Sequence, residues 1–101
     1  MTLEKEVKQM RLVEIDTSQY SPSNIGFASS LVAKACRYTG TDINIRTDEG
    51  TWVNLKSIMG VLTLNYSKAQ KISLQIMGED EESVSRDFIK FIKTNLEIFS
   101  K

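Results

Sequence analysis

Ser57 is the residue with the most chemistry to offer. It lies in Lys56-Ser57-Ile58-Met59-Gly60-Val61, where a strand ending at Leu55 gives way to a short helix, and its hydroxyl stands at the helix-capping position. A phosphate is well tolerated there, because its roughly two negative charges meet the positive end of the helix dipole. Ile58, Met59 and Leu62 follow at i, i+1 and i+4, so they cannot all face a core, and the segment predicts an exposed apolar patch. Methionine suits a surface that accepts more than one partner. Other chemistries are closed off. The chain has no histidine and one cysteine, Cys36. That excludes Ser-His and Cys-His nucleophile pairs within the chain and leaves no basis for a zinc site. The run Glu79-Asp80-Glu81-Glu82 reads as a solvated helix start, since consecutive carboxylates on a helix fan outward. No metal, cofactor or enzymatic activity is expected.

A length of 101 residues predicts one domain, 1–101, with its core over about 8–96. Lysine plus arginine and aspartate plus glutamate number 13 each. That zero balance argues against nucleic acid and against a membrane-surface helix as partners. No run of about 18 apolar residues occurs, and the start of the chain, with Glu4, Lys5, Glu6 and Lys8, lacks the apolar core of a signal peptide. A lone cysteine forms no internal disulfide. Together these features predict a cytoplasmic protein.

The elements that would position Ser57 follow from periodicity. Lys8 to Asp16 alternates through Met10, Leu12, Val13 and Ile15 as a first strand, and Thr17 to Ser23, with the only proline, reads as a turn. Asn24 caps a helix reaching Tyr38, with Ala28, Leu31, Val32, Ala35 and Cys36 as its buried stripe, and Gly40 lies just beyond it. On this reading Cys36 is a buried structural thiol. Asp42 to Arg46 is a second strand, Asp48-Glu49-Gly50 a hairpin turn and Thr51 to Leu55 the returning strand, with Trp52 packed on the sheet. Ser57 opens a helix to about Leu64, and Gln70 to Met77 carries Ile72, Leu74 and Ile76 at period two. A last helix starts near Glu79, with Lys90 and Lys93 near its end and Val84, Phe88, Phe91, Ile92, Leu96 and Phe99 on its buried face. The predicted order is βαββαβα. The fold class is α+β, an open-faced two-layer sandwich with a four-stranded antiparallel sheet and three helices on one face.

This order, with Val53-Asn54-Leu55-Lys56-Ser57-Ile58-Met59-Gly60-Val61 at the second helix, resembles the HPr family of phosphocarriers of the sugar phosphotransferase system. Asp42-Ile43-Asn44-Ile45, Gly78-Glu79-Asp80-Glu81-Glu82, Leu31-Val32 and Arg37-Tyr38 extend the likeness. The resemblance implies that Ser57 is the site of regulatory phosphorylation. It also implies that Lys56, Ile58, Met59 and Leu62 form a partner-binding surface. The implied partners are an HPr kinase/phosphorylase or a transcriptional regulator of carbon use.

The departure from the family lies at the first helix. The family's active-site loop reads Gly-aliphatic-His-Ala-Arg-Pro-Ala, whereas this chain has Pro22-Ser23-Asn24-Ile25-Gly26-Phe27-Ala28. Asn24 falls at the phosphohistidine position, Gly26 at the arginine position and Phe27 at the proline position. A phosphocarrier needs a nucleophilic nitrogen for a labile N–P bond, with cationic and helix-terminal support for the phosphoryl group. The delocalised amide of asparagine is no such nucleophile, and glycine supplies no guanidinium. A catabolite-repression paralogue within the family also lacks the histidine but keeps the arginine. The resemblance therefore implies a regulatory or adaptor protein without histidine phosphocarrier activity. Two alternatives stand beside it: an HPr-like domain adopted for unrelated protein binding, and a phosphotransferase component using a hydroxyl among Ser21, Ser23, Ser29 and Ser30.

Overall fold

A computed structural model describes residues 10–78 and 80–100. The elements are β1 (Met10–Asp16), α1 (Asn24–Ala35), β2 (Thr41–Thr47), β3 (Val53–Asn54), α2 (Ile58–Val61), a 3-10 turn at Tyr66–Lys68, β4 (Lys71–Gly78) and α3 (Glu81–Phe99). The expected start of the first strand at Lys8 and the expected helix start near Glu79 both fall on residues outside those described.

The sheet order is β1-β4-β2-β3, antiparallel throughout. Alternation decides what each strand buries. Ile15 of β1, Ile43 and Ile45 of β2, and Ile72, Leu74 and Ile76 of β4 face one layer and are buried. α1 covers them with Phe27, Ala28, Leu31 and Ala35, and α3 with Val84, Phe88, Ile92 and Leu96, as its period of 3.6 dictates. Phe88 makes an edge-on contact with Tyr38, just after α1, and a stacked one with Phe91 of its own helix. Met10 and Leu12 alternate onto the opposite, open face and are exposed. This is the expected open-faced α+β sandwich.

Several expectations are corrected. β3 is only Val53–Asn54, because Asn54 ends the strand by turning the chain: its Oδ1 accepts the Lys56 N–H (2.9 Å) and its carbonyl accepts the Ser57 N–H (3.0 Å). Trp52 precedes the strand and lies under the Arg46 guanidinium, 4.6 Å from its ring centroid. α1 stops at Ala35 rather than Tyr38. The chain tightens just beyond Cys36, with Arg37 N–H bonded to Lys34 O and Tyr38 N–H to Ala35 O, while the Cys36 N–H still bonds Val32 O at 3.0 Å. Cys36 is exposed, not a buried thiol. α3 runs on to Phe99, so Lys90 and Lys93 lie in its middle and its last turn carries no basic residue. The favourable charge is confined to its start, where Glu81 and Glu82 occupy the first turn.

Two tight places hold the frame. Asp48 adopts a positive φ of 51° in the β2–β3 turn, which aspartate tolerates, and its Oδ1 accepts the N–H groups of Gln70 (2.9 Å) and Lys71 (3.1 Å). That ties the hairpin to the start of β4. Gly78, at the end of β4 with φ +155°, lies opposite Thr41 and against the carbonyl of Gly40.

Candidate functional site at the second helix

Ser57 sits at the N-cap of α2 with extended backbone (φ −110°, ψ 104°), and its carbonyl accepts the Val61 N–H at 3.0 Å. Its hydroxyl makes no capping hydrogen bond, which corrects the expected cap. The residue is exposed, so its hydroxyl is open to solvent although it lies over the first turn of the helix, 3.8 Å from where a Cβ on Gly60 would stand. α2 is short, and what holds it is not the cap but its neighbours. Val61 is buried, Tyr66 Oη donates to Val61 O at 2.8 Å, and Leu62 N–H bonds to Ile58 O.

The residues around Ser57 divide into anchored and free. Lys56 is half-buried and its Nζ donates to the Tyr38 carbonyl at 2.5 Å, so its ammonium is held against the end of α1. Met59 is 78% exposed and Ile58 37%, while Leu62 is half-buried against the core. Ile25 is exposed as well, at 73%. Sequence reasoning passes over Ile25, because an apolar residue three before Ala28 reads as core by periodicity, and only tertiary placement shows it uncovered.

Asn24 is the first residue of α1 rather than its cap, and Ser23 stands at the N-cap. The Asn24 amide bridges to the segment after α2: Nδ2 donates to Leu62 O (3.3 Å) and Oδ1 accepts the Tyr66 N–H (3.1 Å). Gly26 is packed upon. A Cβ there would stand 2.6 and 2.8 Å from Cε1 and Cδ1 of Phe99, from the last turn of α3. The same turn accepts the Ser23 N–H on Phe99 O (2.9 Å) and the Ser21 N–H on Ser100 Oγ (3.2 Å). The chain end of α3 thus seals the approach to α1 that a cationic side chain at position 26 would need.

The proteins this chain resembles can now be set beside that geometry. The family model described as "PTS HPr component phosphorylation site" matches residues 25–94. The chain belongs to the HPr family. The phosphocarrier protein HPr of Lysinibacillus sphaericus is 44% identical over 55 residues, which span 54% of this chain and 60% of that protein. Among solved structures, HPr-C-His from Thermoanaerobacter tengcongensis superposes with a TM-score of 0.71 at 24% identity, covering 86% of this chain and 96% of that one, and so supports the HPr fold. HPr from Bacillus anthracis gives 0.69 at 27% identity, covering 81% and 95%. Crh, the catabolite repression protein of Bacillus subtilis, described as a domain-swapped dimer, gives 0.61 at 27%, covering 76% and 86%. The HPr family is one of phosphocarriers of the phosphotransferase system, with a link through Crh to catabolite repression. The match to the HPr model begins at Ile25, one residue after Asn24.

Beside α2, Tyr38 links the HPr-like surface to α3. Its carbonyl holds Lys56, and its hydroxyl donates to Asp87 Oδ2, which also lies 3.1 Å from Lys34 Nζ. Lys34 in turn lies 5.4 Å over the Phe91 ring. Burial and the Asp87 contact push the Tyr38 hydroxyl up, while that hydroxyl and then Lys34 hold the Asp87 carboxyl below its ordinary 3.8. A folded-state pKa below the unfolded one stabilises fully above about pH 4 and is lost as pH falls through the lower value. Asp87→Asn is therefore expected to melt below wild type at pH 7, with the gap closing as pH falls below about 4. A constant gap across a thermal-melt series would refute the assignment. No helix among the described residues is long and apolar enough to cross a membrane.

Proposed function

We propose that this HPr-family protein is a cytoplasmic, single-domain regulatory or adaptor protein without histidine phosphocarrier activity, phosphorylated on Ser57. The observation that carries this is the pairing of an exposed, unbonded Ser57 hydroxyl with exposed Met59 and Ile58 in a chain that contains no histidine. A phosphate on Ser57 meets solvent, a kinase can reach it, and no hydrogen bond of its hydroxyl among the described residues must break first. Met59, Ile58 and Leu62 supply the apolar contact for a partner, and Lys56 orients the approach to the helix. The partner class is an HPr kinase/phosphorylase or a transcriptional regulator, consistent with the Crh likeness.

Incubation with an HPr kinase and ATP is expected to add the mass of one phosphate to the wild type and none to Ser57→Ala. An unchanged wild-type mass would end the claim. Phosphoenolpyruvate with the upstream phosphotransferase enzyme is expected to leave the chain unlabelled, and acid-labile label would overturn the non-carrier reading. The alternative, an HPr fold serving unrelated binding, is separated by Met59→Glu. Loss of an apolar contact at an interface centre weakens binding on the order of 30-fold, so an HPr kinase or regulator bound equally by both forms would favour the alternative.

A further inference from the structure

β1 is an edge of the sheet, and one of its two rows of backbone groups has no partner strand among the described residues. Which row follows from the register. β1 pairs with β4 from Met10 opposite Met77 to Asp16 opposite Lys71, and the next step, Thr17 opposite Gln70, is a hydrogen-bonded pair, with N–H to O at 2.9 Å. Bonded pairs alternate along an antiparallel ladder, so Ile15, Val13 and Arg11 bond β4, while Met10, Leu12, Glu14 and Asp16 turn N–H and C=O outward.

Side chains alternate as well. Arg11, Val13 and Ile15 lie on the helix side of the sheet. Glu14 and Asp16 project to the open side, where Glu14 pairs with Lys71 at 3.3 Å. A groove of about 560 Å³ runs along the helix side of the edge, between β1 and α3. Val13, Tyr20 and Ile89, all half-buried, form its apolar floor. Glu97 lines it together with Ile15, one helical turn beyond Lys93, and is the carboxylate that α3 contributes. Arg11 is exposed toward the other end of the strand. Neither Arg11 nor Glu97 makes an ion pair among the described residues.

We infer that this edge takes a second copy of the chain, β1 against β1 in antiparallel register about a two-fold axis at Val13. Within β1 this is the pairing that engages every outward residue, Met10 with Asp16 and Leu12 with Glu14. No acid then stands directly opposite an acid on the open side. On the helix side, Val13 meets Val13 of the second copy beside the apolar floor. Arg11 falls opposite Ile15 of the second copy, about 4.5 Å between Cα atoms, and so comes beside the Glu97 that lines the groove there. The two-fold makes that contact twice. Within one chain Arg11 stands roughly 13 Å along the strand from Ile15, so the two charges meet only between copies. That complementarity, set by the register, favours a second copy over an unrelated strand. The interface is separate from Ser57 and does not depend on its phosphorylation.

The test is dilution of the ¹⁵N-labelled full chain, read by amide shifts and by sedimentation. A monomer–dimer transition is expected with a Kd below about 1 mM, and with exchange of the Leu12 and Glu14 amides slowed as the dimer fills. Arg11→Glu and Glu97→Lys each reverse an exposed charge at two symmetric contacts, and each is expected to weaken the dimer at least about fivefold. Combining them is expected to bring the Kd back to within about threefold of wild type. Leu12→Pro, which removes an outward N–H and no bond to β4, is expected to abolish the dimer. Should Leu12→Pro unfold the chain, the charge series alone decides. The proposal fails if the chain stays monomeric up to about 1 mM, if either single reversal dimerises as wild type, if the double variant is no tighter than the singles, or if the shifts centre on Ile58 and Met59. In a mixture of ¹³C-labelled and unlabelled chains, contacts from Val13 to Val13 across copies are expected. Contacts from Ile15 to Ile72 across copies would mean that the strands had been exchanged rather than added, and would equally overturn it.

Discussion

The double variant Asn24→His with Gly26→Arg is expected to accept phosphate from the upstream phosphotransferase enzyme at least about 100-fold more slowly than a standard HPr, since loss of one preorganised charge-stabilising donor alone costs about 10²–10³. Writing the family residues back into the chain does not rebuild the site. The Gly26 position has Phe99 at 2.6 Å from where a Cβ would stand, so a long cationic side chain must displace the ring or swing away from the helix start. Replacing Asn24 also removes the amide that joins Leu62 O and Tyr66 N–H, leaving two part-buried backbone groups without that partner, at about 1–3 kcal/mol. Adding Phe99→Ala to the double variant is expected to raise the rate by opening the approach to α1. Acid-labile incorporation from labelled phosphoenolpyruvate measures all three proteins. A double variant as fast as a standard HPr would show that Phe99 is no obstacle.

Gly78→Ala carries the largest expected loss of stability. A residue at φ +155° is in a region where a side chain strains the backbone, at about 1–3 kcal/mol. The added Cβ would lie 2.7 Å from Gly40 O and 3.0 Å from Thr41 Cα, main-chain atoms that cannot rotate aside, adding about 1–3 kcal/mol. For a chain of this size the sum lowers Tm by at least about 10 °C. Gly40→Ala is the control, because nothing lies within 4 Å of a Cβ there, and it is expected to melt within a few degrees of wild type. Thermal unfolding of the pair checks the claim. A Gly78→Ala melt close to that of Gly40→Ala would mean that the β4 end yields easily.

The two-layer frame was legible because its carriers are strongly periodic. Ile72, Leu74 and Ile76 alternate, and Val84, Phe88, Ile92 and Leu96 recur at 3.6, so tertiary packing only ratified local preference. Legibility failed where a side chain chose between a local and a distant partner. Asn24 at a helix start reads as a cap, but its amide found Leu62 and Tyr66 instead. Ser57 reads as a cap too, but its hydroxyl makes no capping hydrogen bond. Cys36 follows the apolar stripe on a helical wheel, but it stands at the helix C-cap and is left exposed. Gly26 reads as the absence of an arginine. The structure gives it a positive reason, the ring of Phe99, which is far away in sequence and carries no local signal.

The strand that opens the described fold lies beside the last, with Met10 opposite Met77, while β2 and β3 meet through a tight turn. During synthesis the hairpin can therefore form early, whereas β1 gains the strand it pairs with among the described residues only once β4 has been made. For that interval Met10 and Leu12 travel on an unpaired strand with neither edge satisfied. Premature termination anywhere before β4 would release a chain with that strand still bare, and such fragments are the form of this protein most prone to self-association.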